Sequence, residues 1–578
     1  MANFFKKRGQ KLVRKFSRAS VKASEESKEH IKENVIERID HIKNIKLLIF
    51  EWCLLVFALI MLSVTQAFWF SESYAETVFV DGGTYTEATL GDVNSMNPLF
   101  ATTSSEKVLS RLMFATISTV DYSGHINTGL ASSIIPSENG KRWTVTLRDG
   151  LKWSDGEPIT VDDIVFTVNL IKNPAVATIY NANLSNVQVS VTENQEIIFD
   201  LPAAYADFIT ALNFPVVPKH ILENTDPKSL IENNFSNSPV TSGAFAFNAV
   251  QLNSATSEKV IYLSRNPYYY KGTTMLNSFA VHTFKTHDDI IHAINTGGVT
   301  ATAELSAAEA DKITSSGFRQ KNSSLSSGAF IFLNTGKSPL DNPTLRSAIR
   351  EGINLEKIRS AAPDTIPLSY PLTDAQIKIT KYPEIPAHNF ENAKNIITEL
   401  FKEQKPTLNI ATVSTGYLPD VANTTADELR NLGFDVNVSV YEENQEFITN
   451  IISKRNYDIL IYTIEFGADP DLLPYYHSSQ TSTAGLNLSN YRNALVDDLL
   501  LGARDTIDES LRVKKYENFL EYWVNEVPAI GLYRPNLTYF YNKNARTFDN
   551  NVRLVTAIDR FSDIGNWADN KATKNKTP

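Results

Sequence analysis

The sequence predicts a large α/β body attached to one membrane-spanning helix. Residues 47–70 form a single long apolar run. Residues 142–148 alternate apolar and polar side chains as a strand does, and residues 160–171 show the capping and apolar spacing of a helix. The length of 578 residues predicts several domains, since a domain typically holds roughly 100 to 200 residues.

The first 46 residues form a basic tail, which we expect to be cytoplasmic. They contain 13 Lys/Arg and 6 Asp/Glu, a net charge of +7. Glu51 is the one charged residue of 47–70. Subtracting the +7 of the tail and the −1 of Glu51 from the chain total of −10 leaves a net charge of −16 for residues 71–578. An acidic body of this size repels phosphate backbones, so nucleic acid is excluded as an expected partner.

Residues 47–70 are the predicted transmembrane anchor. At about 1.5 Å per residue they exceed the hydrocarbon core of roughly 30 Å, and Trp52 and Trp69 lie near the ends, where indole rings favour the interface. The basic tail predicts a single-pass topology with the body extracellular or periplasmic. A cleaved signal peptide is the alternative, but the apolar run is longer than the usual core of roughly 7 to 15 residues. We therefore expect the anchor to be retained.

The body, from about residue 76, mixes strand and helix signals. The alternating segment Arg142–Arg148 is followed by a turn at Asp149-Gly150. Thr160 and Asp163 have the spacing of a capping box before a helix that Asn173-Pro174 ends. The single cysteine excludes a disulfide framework and zinc sites built from several thiolates. The fold must therefore be stabilised by packing.

Residues 124–174 carry the strongest family signal. This segment, GHINTGLASSIIPSENGKRWTVTLRDGLKWSDGEPITVDDIVFTVNLIKNP, resembles the bacterial family 5 extracellular solute-binding proteins, the dipeptide and oligopeptide receptors of ABC transporters. Further motifs follow in the family's order and extend the resemblance over residues 80–545: Asn97-Pro98-Leu99, Ser242-Gly243-Ala244-Phe245, Arg265-Asn266-Pro267-Tyr268, Phe332-Leu333-Asn334-Thr335, Pro343-Thr344-Leu345-Arg346-Ser347-Ala348, Phe390-Glu391-Asn392-Ala393-Lys394, LRNLGFDV at 429–436, GADPDLLPYYHSSQ at 467–480 and VPAIGLYRP at 527–535.

The resemblance implies a two-lobed, periplasmic-binding-protein-like clamshell of type II with an inserted extra domain. Lobe I is predicted at 77–115, 241–330 and 531–578, the inserted domain at 116–240, and lobe II at 331–530. Two crossings between the lobes would act as hinges, so a ligand that contacts both lobes favours the closed state.

The resemblance also predicts which residues bind the ligand. Asp469 matches the position at which a carboxylate pairs with the ammonium group of a peptide, and Asp471 is its near rival. Asp469-Pro470 is equally explained as the start of a turn, which is compatible with a binding role. The remaining candidates are small residues that let a ligand approach the backbone and aromatic residues that can line a pocket or belong to the core: Ser242, Gly243, Gly328, Ala329, Phe330, Phe466, Gly467 and Tyr475. No Arg or Lys for the peptide carboxylate is identifiable.

The sequence thus predicts a non-catalytic, monomeric receptor without a cofactor that captures peptides and delivers them to an ABC permease. Two alternatives stay open: a receptor of the same fold for an oligosaccharide or a metal chelate, and a membrane-anchored hydrolase. The sequence contains no G-x-S-x-G, H-E-x-x-H or G-x-G-x-x-G motif. Gly336-Lys337-Ser338 lacks the earlier glycine of a phosphate loop.

Overall fold

The computed structural model describes residues 46–575 apart from 122–123, 177, 179, 254–257, 374–375, 403, 443–444, 469, 484 and 550–551. Residues 1–45 of the predicted basic tail therefore lie outside the described residues. The chain divides into two compact units. One is Phe79–Lys571, and the other comprises Met1–Val78 with Ala572–Pro578.

The unit of Met1–Val78 and Ala572–Pro578 contains the helix Lys46–Tyr74. The side chains described on this helix run from residue 50 to residue 66. Strand Ala75–Phe79 follows the helix and pairs with Lys571–Asn575. Taken over the described positions, no helix has both the length and the apolar character needed to cross a bilayer.

An eight-stranded mixed sheet forms the first layer of the unit Phe79–Lys571. Thr84–Leu90 pairs in parallel with Ser278–Phe284, with Glu87 opposite Val281, and the hairpin strands on one side pair antiparallel. The strand order is Arg553–Leu554, Phe318–Leu325, Asn536–Asn542, Ala301–Thr302, Thr84–Leu90, Ser278–Phe284, Glu258–Arg265 and Phe245–Asn253.

A six-stranded sheet forms the second layer, with its own apolar core. Its strand Ser327–Leu333 is buried at every position, as expected for an apolar run covered on both faces. Helix Leu418–Leu432 joins the parallel strands Thr407–Val413 and Asp435–Tyr441 and ends at Gly433, whose φ of +110° favours glycine. The strand order is Ile366–Pro367, Ala529–Arg534, Ser327–Leu333, Ile459–Glu465, Thr407–Val413 and Asp435–Tyr441.

The chain crosses between the two large sheets at single residues. Ser326 separates strand Phe318–Leu325 from Ser327–Leu333, and Pro535 separates Ala529–Arg534 from Asn536–Asn542. The Leu325 N–H donates to the Pro535 carbonyl at 3.2 Å, so the two crossings lie side by side. Adjacent single-residue crossings are a geometry that allows hinge motion.

A four-stranded antiparallel sheet occupies the region of the predicted insertion. Its strands are Ala131–Pro136, Arg142–Leu147, Ile197–Asp200 and Gln188–Val191 in spatial order, and a second pair joins Ser118–Val120 to Ile126–Thr128. The helix predicted after Thr160 is Val161–Lys172, and the Asp163 carboxylate accepts the Thr160 N–H at 2.8 Å. Buried residues of this region share one continuous core with the eight-stranded sheet.

Helices cover the sheets. The remaining α-helices of the unit Phe79–Lys571, as described, are Ser104–Met113, Asn181–Leu184, Lys219–Leu222, His287–Thr296, Pro343–Gly352, Leu355–Ser360, Phe390–Phe401, Gln445–Phe447, Leu473–Tyr476, Ala494–Asp505 and Glu509–Glu526. Ile448–Ile452 is a π-helical turn, and the 3₁₀ segments are Pro98–Phe100, Phe208–Leu212, Pro227–Ser229, Asn234–Ser236, Ala307–Lys312, Ser478–Thr481 and Ala557–Asn566. Two large sheets with separate cores confirm the predicted two-lobed α/β class.

Candidate functional site

A cavity of about 530 Å³ lies where the three sheet regions meet. Its walls come from residues between 110 and 126 and between 555 and 559, from residues between 180 and 215, and from residues between 465 and 475 together with Arg504. Small-molecule sites typically have volumes of roughly 300 to 1,000 Å³. Because the walls include segments of both large lobes, a ligand in this cavity would contact both.

One wall is the segment that follows strand Ile459–Glu465. The Phe466 N–H donates to the Ser326 carbonyl at 2.9 Å, and the Ser326 hydroxyl donates to the Gly467 carbonyl at 2.8 Å. Gly467 has a φ of +70°, in the left-handed region that favours glycine. The wall segment is therefore fixed directly to a crossing between the lobes.

Asp471 lies in this wall and is almost fully buried. Its Oδ1 accepts the Leu473 N–H at 3.0 Å, and its Oδ2 lies 3.6 Å from Nε of Arg504. Burial raises the pKa of Asp471, and the Arg504 guanidinium opposes that rise. An ionised carboxylate in a cavity wall is a hydrogen-bond acceptor for a ligand amine.

Arg504 also closes one end of the cavity. Its guanidinium carbon lies 4.6 Å from the centre of the Tyr205 ring, and its carbonyl accepts the Ala206 N–H at 2.8 Å. Next to this contact, Arg512 forms an ion pair with Asp207. Residues 205–207 thus bind the helices of the six-stranded sheet directly.

The two aromatic candidates in the wall are held rigidly. The Tyr475 hydroxyl donates to the Glu465 carbonyl at 2.6 Å. Burial, and after it the charge of Glu465, raises the pKa of Tyr475 to about 12, so this phenol stays protonated at neutral pH. Phe466 is 6% exposed and packs edge-on against Phe330 with ring centres 5.9 Å apart.

The structure brings together four of the predicted site residues: Phe466, Gly467, Asp471 and Tyr475 all line the cavity. Asp469 lies outside the described residues. Its neighbour Ala468 lines the cavity.

Ser242 and Gly243 lie elsewhere, packed on the end of helix Ser104–Met113. The Ser242 hydroxyl accepts the Ala115 N–H at 3.0 Å, and the Gly243 N–H donates to the Met113 carbonyl at 2.7 Å. A Cβ on Gly243 would lie 2.5 Å from the Leu112 carbonyl oxygen. Close backbone packing therefore explains this glycine without a ligand.

Gly328, Ala329 and Phe330 belong to the central buried strand Ser327–Leu333 and do not line the cavity. Ala329 and Phe330 are 0% exposed. A Cβ on Gly328 would lie 2.4 Å from Cδ2 of Leu368, so side-chain packing accounts for the small residue there. A ligand role for these three residues stays a prediction.

Sequence reasoning missed several cavity residues. Arg111, Asp559, Tyr180, Tyr205 and Arg504 all line the cavity. Arg111 has a usable signal, because it lies within the apolar run VLSRLMF at 108–114, where a solvated surface arginine is unexpected. Arg504 has no such signal, since its helix Ala494–Asp505 also carries Asp497, Asp498 and Asp505.

Asp559 belongs to the wall formed by Ala557–Asn566. Its Oδ2 accepts the N–H and the hydroxyl of Thr556, each at 2.8 Å, which caps this helix. Burial raises the pKa of Asp559, and Arg111 partly opposes the rise. Over the described ranges, no cluster of three His, Cys, Asp or Glu side chains could hold a metal ion.

Comparison with known proteins shows the family to which this chain belongs. The family model described as bacterial extracellular solute-binding proteins, family 5 Middle, matches residues 125–486. The oligopeptide-binding protein AppA of Bacillus subtilis is 23% identical over 481 residues, which cover 79% of this chain and 87% of that protein.

Two solved structures have a similar fold. AppA from Bacillus subtilis in complex with a nonapeptide has a TM-score of 0.67 at 20% identity and covers 85% of this chain and 99% of its own. NikZ from Campylobacter jejuni in complex with Ni(L-His) has a TM-score of 0.69 at 18% identity. The match covers 84% of this chain and 99% of the NikZ chain. Since the family model matches more than half of the chain, the predicted resemblance is confirmed and this chain belongs to the bacterial extracellular solute-binding proteins, family 5.

Proposed function

We propose that this chain is a membrane-anchored receptor that binds a short peptide in the cavity of about 530 Å³ and delivers it to an ABC permease. The observation that carries the proposal is the position of the cavity, whose walls come from both lobes beside the Ser326 crossing. A ligand held there stabilises one arrangement of the lobes, and a partner can recognise that arrangement. The similarity to the oligopeptide-binding protein AppA supports a peptide as the ligand.

The predicted amine anchor is Asp469. The segment around it lines the cavity on both sides of this position, at Ala468 and at Asp471. A carboxylate in a poorly hydrated cavity forms a charge-assisted hydrogen bond with a peptide ammonium group. Asp471 is the alternative anchor, and it already contacts Arg504.

Calorimetric titration with free and N-acetylated tetra-alanine tests this anchor. Asp469→Asn should weaken binding of the free-amine peptide by about 3 kcal/mol, the scale for breaking a buried charge pair. The acetylated peptide should bind poorly to the unaltered chain. Asp471→Asn serves as the rival variant, and Asp420→Asn, at an exposed helix position, is the matched control. Equal affinity for free and acetylated peptides would remove the amine anchor.

Native mass spectrometry of the body identifies the ligand class. Co-purified peptides would support the proposal, and finding only saccharides or nickel chelates would contradict it. We also propose that the chain is not an enzyme, so bound peptides should be recovered uncleaved after prolonged incubation. Turnover of a peptide or glycoside by the purified body would favour the hydrolase alternative, whereas stoichiometric binding with no product would favour the receptor.

We propose that the apolar run of residues 47–70 is the membrane anchor; its described side chains, from residue 50 to residue 66, cover less than the roughly 20 residues of a full span. The large apolar side chains described there are all exposed, among them Phe50, Phe57 and Leu62 at 64–66%. Exposed apolar side chains on one continuous helix favour a lipid environment. In cells, the full chain should stay with membranes after alkaline carbonate extraction, whereas a chain starting at residue 76 should not. Release of the full chain by carbonate would contradict anchoring.

A further inference from the structure

The two lobes also touch outside the strand crossings. Residues 204–207 contact the C-terminal end of helix Ala494–Asp505 and the first turn of helix Glu509–Glu526, two helices that pack on the core of the six-stranded sheet. Leu201 and Phe208, on either side of this segment, belong to the core of the eight-stranded sheet, so the segment is part of that lobe. We call this contact the latch and define it by Tyr205, Ala206, Asp207, Arg504 and Arg512.

One bond of the latch caps a helix end. The last carbonyls of an α-helix have no partner within the helix. Helix Ala494–Asp505 ends just after Arg504, and the Arg504 carbonyl accepts the Ala206 N–H at 2.8 Å. The end of this helix therefore takes a hydrogen-bond donor from the other lobe.

The other bonds of the latch involve charged side chains. Nη1 of Arg512 donates to Oδ2 of Asp207, and both side chains are mostly buried. Salt screens a partly buried pair less than an exposed one. Beside this pair, the Arg504 guanidinium carbon lies 4.6 Å from the centre of the Tyr205 ring, within the range of cation–π attraction. Each of these interactions joins one lobe to the other.

Both sides of the latch are fixed within their own lobes. The Tyr205 N–H donates to the Gly140 carbonyl at 3.3 Å, and the Phe208 ring packs against Trp143 with ring centres 5.9 Å apart. On the other side, Tyr516 of helix Glu509–Glu526 is buried in the core of the six-stranded sheet. Since neither side can follow the other when the lobes separate, rotation about the crossings must break the latch.

The ion pair of the latch lies outside the cavity wall. Tyr205 and Arg504 line the cavity, whereas Asp207 and Arg512 do not. Substitutions at Asp207 and Arg512 therefore change the contact between the lobes without removing a side chain that a ligand in the cavity would touch.

We propose that the latch stabilises the closed arrangement of the lobes before a ligand binds, and that it thereby sets part of the ligand affinity from outside the cavity. Its effect on affinity rests on the proposed peptide function. A ligand that needs both lobes binds with an apparent affinity that is reduced by the fraction of molecules in which the lobes are apart. Interactions that exist only in the closed arrangement raise the competent fraction, and with it the affinity.

Distance measurements by electron paramagnetic resonance test the latch without a ligand. Spin labels are attached to the full chain in detergent at Glu138→Cys and Glu509→Cys, exposed positions on the two sides of the latch, in a Cys53→Ser background. Arg512→Met should shift the distribution of label distances to longer values, because the closed arrangement loses its ion pair. Saturating tetra-alanine should shift the distribution back.

Calorimetric titration measures the effect of the latch on affinity. Arg512→Met should weaken tetra-alanine binding by roughly 3- to 10-fold, the scale of a partly buried ion pair. Arg430→Met is the matched control, because it removes the same charge from an ion pair with Asp427 within one lobe. The control should leave both the distances and the affinity unchanged.

An exchange of charges tests the pair itself. Asp207→Arg alone and Arg512→Asp alone place like charges opposite each other, so each should lengthen the label distances more than Arg512→Met does. The two substitutions together restore opposite charges and should return the distances and the affinity toward those of the wild type. The exchange also supplies the test if Arg512→Met does not fold.

A folded Arg512→Met variant with the label distances of the wild type would overturn the inference, even if its affinity had changed. So would a double exchange that stays as open as the single variants. Failure of the wild type to bind tetra-alanine would instead contradict the proposed function. The distances without ligand would still report on the latch, so the two failures are distinguishable.

Discussion

The buried ion pair between Glu87 and Arg560 provides the sharpest test of how the cavity wall is held in place. Glu87 is 0% exposed on strand Thr84–Leu90, and Arg560 is 1% exposed on Ala557–Asn566. Oε1 of Glu87 accepts hydrogen bonds from Nε and Nη2 of Arg560, and Oε2 accepts the Tyr539 hydroxyl at 2.8 Å. Burial alone would lower the pKa of Arg560, but Glu87 and Tyr539 raise it above its ordinary value.

We expect Arg560→Met to lower the free energy of unfolding by about 3 to 5 kcal/mol, because it leaves a carboxylate buried without its partner. The double variant Glu87→Gln with Arg560→Met removes the stranded charge. The double variant should therefore lose less of the free energy of unfolding than Arg560→Met alone. We expect a loss of about 1 to 3 kcal/mol, the scale of an imperfectly paired buried polar group. Since Ile558 and Asp559 of the same segment line the cavity, Arg560→Met should also weaken peptide binding.

Urea unfolding followed by tryptophan fluorescence measures the effect. Trp567 packs edge-on against Tyr85 with ring centres 5.3 Å apart, so it reports on this part of the core. Arg430→Met is the matched control, because Arg430 pairs with Asp427 at the surface and such pairs contribute at most about 1 kcal/mol. A loss for Arg560→Met no larger than for this control would refute the reasoning, as would a double variant less stable than the single one.

Three further perturbations have defined outcomes. Burial lowers the pKa of Lys321 to about 8, so above that pH the unfolded chain binds more protons than the folded chain. The free energy of unfolding of the wild type relative to Lys321→Met should therefore rise between pH 8 and 10. A difference between the two proteins that does not change with pH would contradict this. Gly243→Ala should cost about 1 to 3 kcal/mol in urea unfolding through backbone overlap, whereas a ligand-only role would leave stability unchanged. The side chains of Asp207 and Arg512 are 23% and 12% exposed. In a double-mutant cycle, Asp207→Ala and Arg512→Ala should show a coupling of roughly 1 to 3 kcal/mol in the free energy of unfolding. Additive losses would show that the ion pair contributes nothing to stability.

Local patterns predicted much of the fold. The alternation of Arg142–Arg148 appears as strand Arg142–Leu147, and the capping box at Thr160 begins helix Val161–Lys172. Phe466, Gly467, Asp471 and Tyr475 lie together because they are close in sequence and follow one strand. Signals of this kind depend on neighbouring residues alone, so one sequence suffices to read them.

The amino-acid sequence by itself determined the α/β class, the family and one wall of the cavity, because each depends on short segments whose residues interact locally. Only the tertiary structure decided what faces that wall. Arg111 is more than 350 residues from Glu465 along the chain, and the two share a cavity only because the lobes pack around crossings at Ser326 and Pro535. Tertiary packing likewise accounts for Gly243 as a contact with a helix end. Contacts between distant segments leave no periodic trace in a single sequence, which is the physical reason why the juxtaposition of the two walls escaped prediction.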